Sequence, residues 1–120
     1  MICFDIEFPE TARALKILGA DFLVVVNANM HPYQMYHHIF ALSRAMENEI
    51  PLIICNRLGQ EGDLDFCGDS MVIDATGEKI LTLGNEEKIG HTTVPLAQTL
   101  DPKMNYLHNR RRELYRILTE

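Results

Sequence analysis

The chain has 120 residues, 47% of them apolar and 23% charged, and carries a formal net charge of -6. Such a balance excludes a disordered chain and fits one domain long enough to bury a core. The acidic surplus argues against a nucleic-acid partner, and no apolar run approaches the roughly 18 residues of a membrane helix.

Taken in chain order, the elements alternate. Met1-Ile2-Cys3-Phe4 ends an apolar approach, and Pro9 suits the first turn of a helix whose positive N-terminal end favours Glu7 and Glu10. Those acidic residues, with Asp5, also make the start unlike a secretory leader. Thr11 to Leu18 follows helical spacing through Ala12, Leu15 and Leu18, with Gly19 placed to end it. The run 22–26 is continuously apolar and β-branched, which predicts a strand covered on both faces. Gln34 to Asn48 reads as a helix presenting Tyr36, Ile39, Phe40, Ser43, Met46 and Glu47 along one stripe. Residues 52–55 form the next buried strand, so helices and strands alternate as in a parallel sheet with crossovers.

Beyond this point the pattern changes. The stretch 57–69, with Gly59, Gly62 and Gly68, reads as a loop. Residues 70–73 and 79–83 flank Asp74-Ala75-Thr76-Gly77, an antiparallel hairpin signal. A third strand is expected over 91–94, a short helix from Leu96 until Pro102 interrupts it, and a last helix over 109–119. Neither a repeat nor a linker divides the chain.

Chemistry concentrates at Cys3. A thiol at the end of a strand, facing the crevice beyond a sheet and followed by a turn with free N–H groups, is placed to act as a nucleophile. Cys55, inside a strand, and Cys67 read as small core residues. Three cysteines without close pairing point to a reducing compartment, the cytoplasm. His31, His37 and His38 suggest either a general base for the Cys3 thiol or a metal site, but His37 and His38 are adjacent on a helix and point about 100° apart, so no metal centre is expected. Arg44 and Glu47 lie three apart on one helical face, either as a surface ion pair or as a buried structural pair.

The string Ile2-Cys3-Phe4-Asp5 with Phe8-Pro9-Glu10 resembles the nucleophile segment of the nitrilase superfamily of carbon–nitrogen hydrolases. The resemblance continues in order through Gly19-Ala20-Asp21, Asn27-Ala28-Asn29, Arg44-Ala45-Met46-Glu47-Asn48 and Asn56-Arg57-Leu58-Gly59. It then runs through Gly68 to Asp74 with Gly77-Glu78, and closes on Arg111-Arg112-Glu113-Leu114-Tyr115. It spans essentially the whole chain but only the C-terminal half of a family member.

What the resemblance implies is an α/β fold, part of the α-β-β-α sandwich with a mixed sheet. It also implies hydrolysis of a non-peptide amide or nitrile through a cysteine thioester, without a cofactor. Cys3 matches the nucleophile, the backbone N–H of Phe4 would help hold the oxyanion, and Asn27, Ala28 and Asn29 would line the substrate pocket. Arg44 and Glu47 belong to a structural motif. Phe4-Asp5 in place of Trp-Glu after the cysteine, and Ile6-Glu7 in place of carboxylate-clamping arginines, make a small amide the expected substrate. Nitrile hydrolysis is the alternative.

The family's catalytic glutamate and lysine lie upstream of the cysteine, and Glu7, Glu10, Glu47 and Lys16 sit in the wrong motifs to replace them. The alternative to an amide hydrolase is therefore a truncated or split-gene product, inactive alone and acting as a subunit or interaction module. It would associate as a homodimer or larger species, or with a missing N-terminal half that supplies those groups.

Overall fold

A computed structural model describes residues 1–97 and 100–119. A parallel pair opens the sheet: β1 (Leu23–Asn27) runs beside β2 (Leu52–Asn56), with Val25 opposite Ile54. Helix α1 (Pro9–Ile17) precedes β1, with the proline at its first position as expected, and α2 (Gln34–Asn48) is the crossover to β2. Two antiparallel strands continue the sheet, β5 (Met71–Ile73) against β2 and β6 (Lys79–Thr82) against β5, so the order is β1-β2-β5-β6. Ahead of Cys3, Ile2 bridges Val26 in parallel, and Val26 N–H donates to the Met1 carbonyl at 3.3 Å. Ile2 therefore lies beside the end of β1, on the side away from β2.

The segment 57–69, expected as a loop, is instead a two-stranded ribbon, β3 (Leu58–Glu61) with β4 (Leu64–Cys67). Its residues are largely exposed and short of apolar alternation, so the ladder of backbone hydrogen bonds carries it without a hydrophobic signal. Gly62, in the left-handed region at φ 58°, lies in its turn. Residues 91–94 form no strand, and the final helix is a 3-10 helix over Arg112–Thr119 only. Of the helix expected from Leu96, Gln98 and Thr99 lie outside the described residues, and a short 3-10 turn follows at Pro102–Met104.

One sheet face and two helices make the core. Leu23, Val25, Leu52, Ile54, Met71 and Ile73 from the strands meet Ala12, Ala41 and Ala45 from the helices, all essentially buried. Burying each large aliphatic side chain contributes about 1.5–3 kcal/mol, and the small alanines let the helices lie close to the sheet. Over β1 the opposite face is open. Val24 is 44% and Val26 61% exposed, and Cys55, expected as a core residue, is exposed with them. Continuous apolarity predicts cover on both faces, but over β1 the folded chain covers only one, whereas Val72 of β5 on the other face is buried; alternation in burial along β1 follows from the pleat.

Helix α2 also buries a face the apolar pattern did not indicate. Tyr36, Ile39 and Met46 are exposed, while His37, Ala41, Arg44, Ala45 and Asn48 point inward. Polar residues take those positions because they satisfy backbone groups. Asn48 Nδ2 donates to the Arg44 carbonyl at 2.8 Å, and Arg44 reaches across to the nucleophile turn.

Candidate active site

Immediately after Ile2 the chain folds into a 3-10 turn, Cys3–Glu7, that ends in extended Phe8 before Pro9 begins α1. Asp5 organises this turn locally. Its carboxylate accepts from Ile2 N–H at 2.9 Å while its own N–H donates to the Ile2 carbonyl at 3.1 Å. Cys3 takes φ 48°, in the left-handed region that a residue with a Cβ enters at a cost of about 1–3 kcal/mol unless its surroundings hold it there.

Arg44 is what holds the turn. Its guanidinium donates through Nε to the Ile6 carbonyl at 2.9 Å, through Nη2 to the Glu7 carbonyl at 2.9 Å, and through Nη1 to Glu47 Oε1 at 3.1 Å. Arg44 is 5% exposed and Glu47 about one-third exposed, so the arginine is the buried, structural partner and the pair itself is half-buried. The guanidinium also lies 5.5 Å from the Phe40 ring. Crossing from α2, this fork of donors ties down the backbone that presents Cys3 by pairing the carbonyls of Ile6 and Glu7.

Cys3 stands at a cavity of about 510 Å³. The same cavity gathers Phe4, Asn27, Ala28 and Asn29, so the residues singled out in two distant sequence segments come together in space. Met30, Tyr33, His37 and Phe40 complete the wall from the β1–α2 connection and α2. Met30 and Tyr33 lie in the stretch Asn29 to Tyr33 that resembles amidase members, and His37 is a candidate by residue type, but no sequence spacing joins them or Phe40 to Cys3. Glu7 also lines it, while among the described residues no lysine does.

The end of β1 is knitted to its neighbours by Asn56, the 7%-exposed last residue of β2. Its Oδ1 accepts from Asn29 N–H at 2.7 Å, and its Nδ2 donates to the carbonyls of Gly68 at 2.7 Å and Asn29 at 3.1 Å. Asn29 Oδ1 in turn accepts from the buried Cys67 thiol at 3.3 Å. Burial pushes the Cys67 thiol above the usual cysteine value, with the hydrogen bond from Asn56 opposing it. Cys67 is thus a packed structural thiol, as its sequence setting suggested, whereas Cys3 and Cys55 are both exposed.

Two histidines connect the cavity to the β4–β5 loop. His37 is buried; its Nδ1 lies 3.0 Å from Asn27 Nδ2 and its Nε2 3.2 Å from the Asp69 carbonyl. His38 Nε2 contacts the Asp69 carboxylate, and its Nδ1 lies 3.3 Å from Lys79 Nζ. Burial holds His37 below the usual histidine range, against the raising effect of the Asp69 carbonyl. Asp69 adopts φ 60°, and a Cβ on neighbouring Gly68 would stand 2.9 Å from Leu58 Cδ1 and 3.0 Å from the Gly84 carbonyl. That tight corner brings the Asp69 carbonyl under α2.

Residues 1–101 match the profile of the carbon-nitrogen hydrolase family. The chain is 43% identical over 88 residues to an (R)-stereoselective amidase from Pseudomonas sp, an alignment covering 72% of this chain and 32% of that protein. It is 40% identical over 123 residues to a probable nitrilase from Schizosaccharomyces pombe, covering 98% and 45% respectively. A solved carbon-nitrogen hydrolase from Helicobacter pylori superposes with a TM-score of 0.87 at 26% identity, covering 100% of this chain and 48% of that one. A mutant amidase from Nesterenkonia sp., with the acetamide moiety of fluoroacetamide added covalently at its active-site cysteine, gives 0.80 at 33% identity and covers 98% and 42%. The chain spans less than half the length of these relatives. From its fold, its turn at Cys3 and these similarities, the chain belongs to the carbon-nitrogen hydrolase family.

Proposed function

We propose that this chain contributes the nucleophile and one wall of the substrate pocket to a hydrolase of small non-peptide amides. The observation that carries this reading is Cys3 itself, an exposed thiol on a left-handed turn residue that opens onto the cavity formed with Asn27 to Asn29. The Cys3 thiolate attacks the amide carbonyl carbon and the carbonyl electron pair moves onto oxygen, where the N–H of Phe4 serves as a donor. Collapse of that tetrahedral species breaks the C–N bond; the leaving amine or ammonia takes a proton and a thioester remains on Sγ. Water then cleaves the thioester, releasing the acid and restoring the thiol.

These proton transfers need a general base and acid, and the thiolate needs a positive neighbour. Glu7 has its backbone tied by Arg44, and the described cavity wall holds no lysine. A glutamate and a lysine from a segment beyond these 120 residues fit the need. Such a segment would also cover Val24, Val26 and Cys55 on the open sheet face. The exposed apolar residues Tyr36, Ile39 and Met46 of α2 support a homo-oligomer, and the free cysteines support a reducing compartment such as the cytoplasm.

The test uses the probe that adds to the Nesterenkonia cysteine. With fluoroacetamide, mass spectrometry is expected to find the acetamide adduct forming on Cys3 faster once a segment supplying that glutamate and lysine is present than in the chain alone, with no such acceleration at Cys55, which is also exposed in the chain alone. Cys3→Ala should abolish that adduct. Equal acceleration at Cys3 and Cys55, or none at Cys3, overturns the reading.

A further inference from the structure

We propose that His37 is a positioning residue that fixes which way round the Asn27 side-chain amide sits in the cavity wall, and so makes that wall select ligands offering an N–H donor. The inference rests on the pocket assignment above but is drawn from hydrogen-bond polarity. A backbone carbonyl can only accept, so the 3.2 Å contact between His37 Nε2 and the Asp69 carbonyl places the ring proton on Nε2. The ring is buried and carries one proton, which leaves Nδ1 as an acceptor. Asn27 must therefore turn its NH₂ group to His37, at 3.0 Å. Its carbonyl oxygen Oδ1 and its second N–H then remain for a ligand in the cavity, which Asn27 lines.

An unsupported asparagine could rotate its amide by half a turn at little cost. Here the rotation would set Oδ1 against the lone pair of His37 Nδ1, a repulsive contact that leaves the nitrogen of a buried ring unpaired. The tautomer itself is anchored by the corner at Gly68 and Asp69, whose backbone aims the carbonyl at the ring. A primary amide, which presents N–H groups, meets the acceptor that this arrangement leaves. A carboxylate can accept only from the one remaining N–H and meets the oxygen as a repulsive neighbour, whereas an amide can use both.

Protonating His37 reverses the logic, because Nδ1–H must then donate and Asn27 must turn Oδ1 towards it. Several charged or titratable groups surround the ring. His38 lies beside it on α2, the Asp69 carboxylate on the β4–β5 loop, and Lys79 on β6. Across the cavity stand Cys3, Glu7, Tyr33 and Tyr36. Burial disfavours the charged ring, with His38 and Lys79 acting in the same direction and Asp69 opposing them.

Nitrogen NMR of the ligand-free chain tests the inference without depending on turnover. Above neutral pH, His37 is expected to show a protonated Nε2 and a bare Nδ1, and the Asn27 side-chain amide signals should move with the same midpoint as His37 on acidification. Added propionamide should shift the Asn27 amide signals more than propionate does above that midpoint. A proton on Nδ1 in the neutral ring, Asn27 signals that ignore the His37 titration, or propionate effects equal to or larger than those of propionamide above the midpoint each overturn the proposal. So does an absence of any ligand effect at Asn27. Failure of the fluoroacetamide experiment with these signatures intact would instead count against the amidase reading alone.

Discussion

Replacing Arg44 by methionine keeps most of the side-chain volume but removes the donors that hold the nucleophile turn. Two of its hydrogen bonds, both 2.9 Å, go from a 5%-exposed guanidinium to the carbonyls of Ile6 and Glu7. Buried hydrogen bonds from a charged group contribute about 1.5–3 kcal/mol each, so the variant is expected to lose about 3–5 kcal/mol. Against a total of about 5–15 kcal/mol for an ordinary domain, that is a large fraction. Arg44→Lys should lose an intermediate amount, about 2 kcal/mol, because one ammonium cannot span carbonyls on two successive residues in the manner of the planar fork. Glu47→Gln should cost less than about 1 kcal/mol, since Glu47 is one-third exposed and water replaces part of the pair. Urea unfolding gives the stabilities, and hydrogen exchange over residues 3–8 reads the turn itself. If Arg44→Met stays within about 1 kcal/mol of the parent and those amides keep their protection, Arg44 is not the clamp that presents Cys3.

Because burial lowers His37 below the ordinary 6.5, the unfolded chain binds the proton more readily. Stability from this residue is therefore whole above 6.5 and falls as pH drops from there through the folded value. Melting temperatures of wild type and His37→Gln should diverge accordingly, and a difference that is constant between about pH 7.5 and 4.5 would reject the effect. Asn56→Ala should destabilise by about 2–4 kcal/mol in urea, because it strands Asn29 N–H and the Gly68 carbonyl among buried neighbours; a loss within experimental error would remove Asn56 from its bridging role. Val25→Ala should cost about 2 kcal/mol and Val26→Ala under about 0.5, since the first is buried and the second 61% exposed. Equal losses would mean that the open sheet face is covered in solution.

The alternation of helix and strand was legible over residues 9–56 because strong local signals agree there: proline at the start of α1, β-branched runs for β1 and β2, and helical spacing between them. The hairpin around Asp74 to Gly77 was legible too, as its turn chemistry is carried by adjacent residues, with Gly77 at φ 89°. Cys3, Phe4 and Asn27 to Asn29 were found as motifs, and their meeting in one cavity follows from Ile2 and β1 being parallel neighbours whose C-terminal ends coincide.

The ribbon of β3 and β4 was not legible, because its pairing rests on backbone hydrogen bonds that no side-chain period announces. Nor was the inward face of α2. Periodicity assigns apolar residues to the core, but His37 and Arg44 are buried against partners far away in the chain, 32 residues for His37 and Asp69, 38 for Arg44 and Ile6. Continuous apolarity likewise cannot say which face of a strand meets a helix. Local propensity and turn chemistry are properties of neighbouring residues and so are written in the chain. The clamp on Cys3, the polarity of Asn27 and the open face of the sheet depend on groups that become neighbours only when the backbone carries them together.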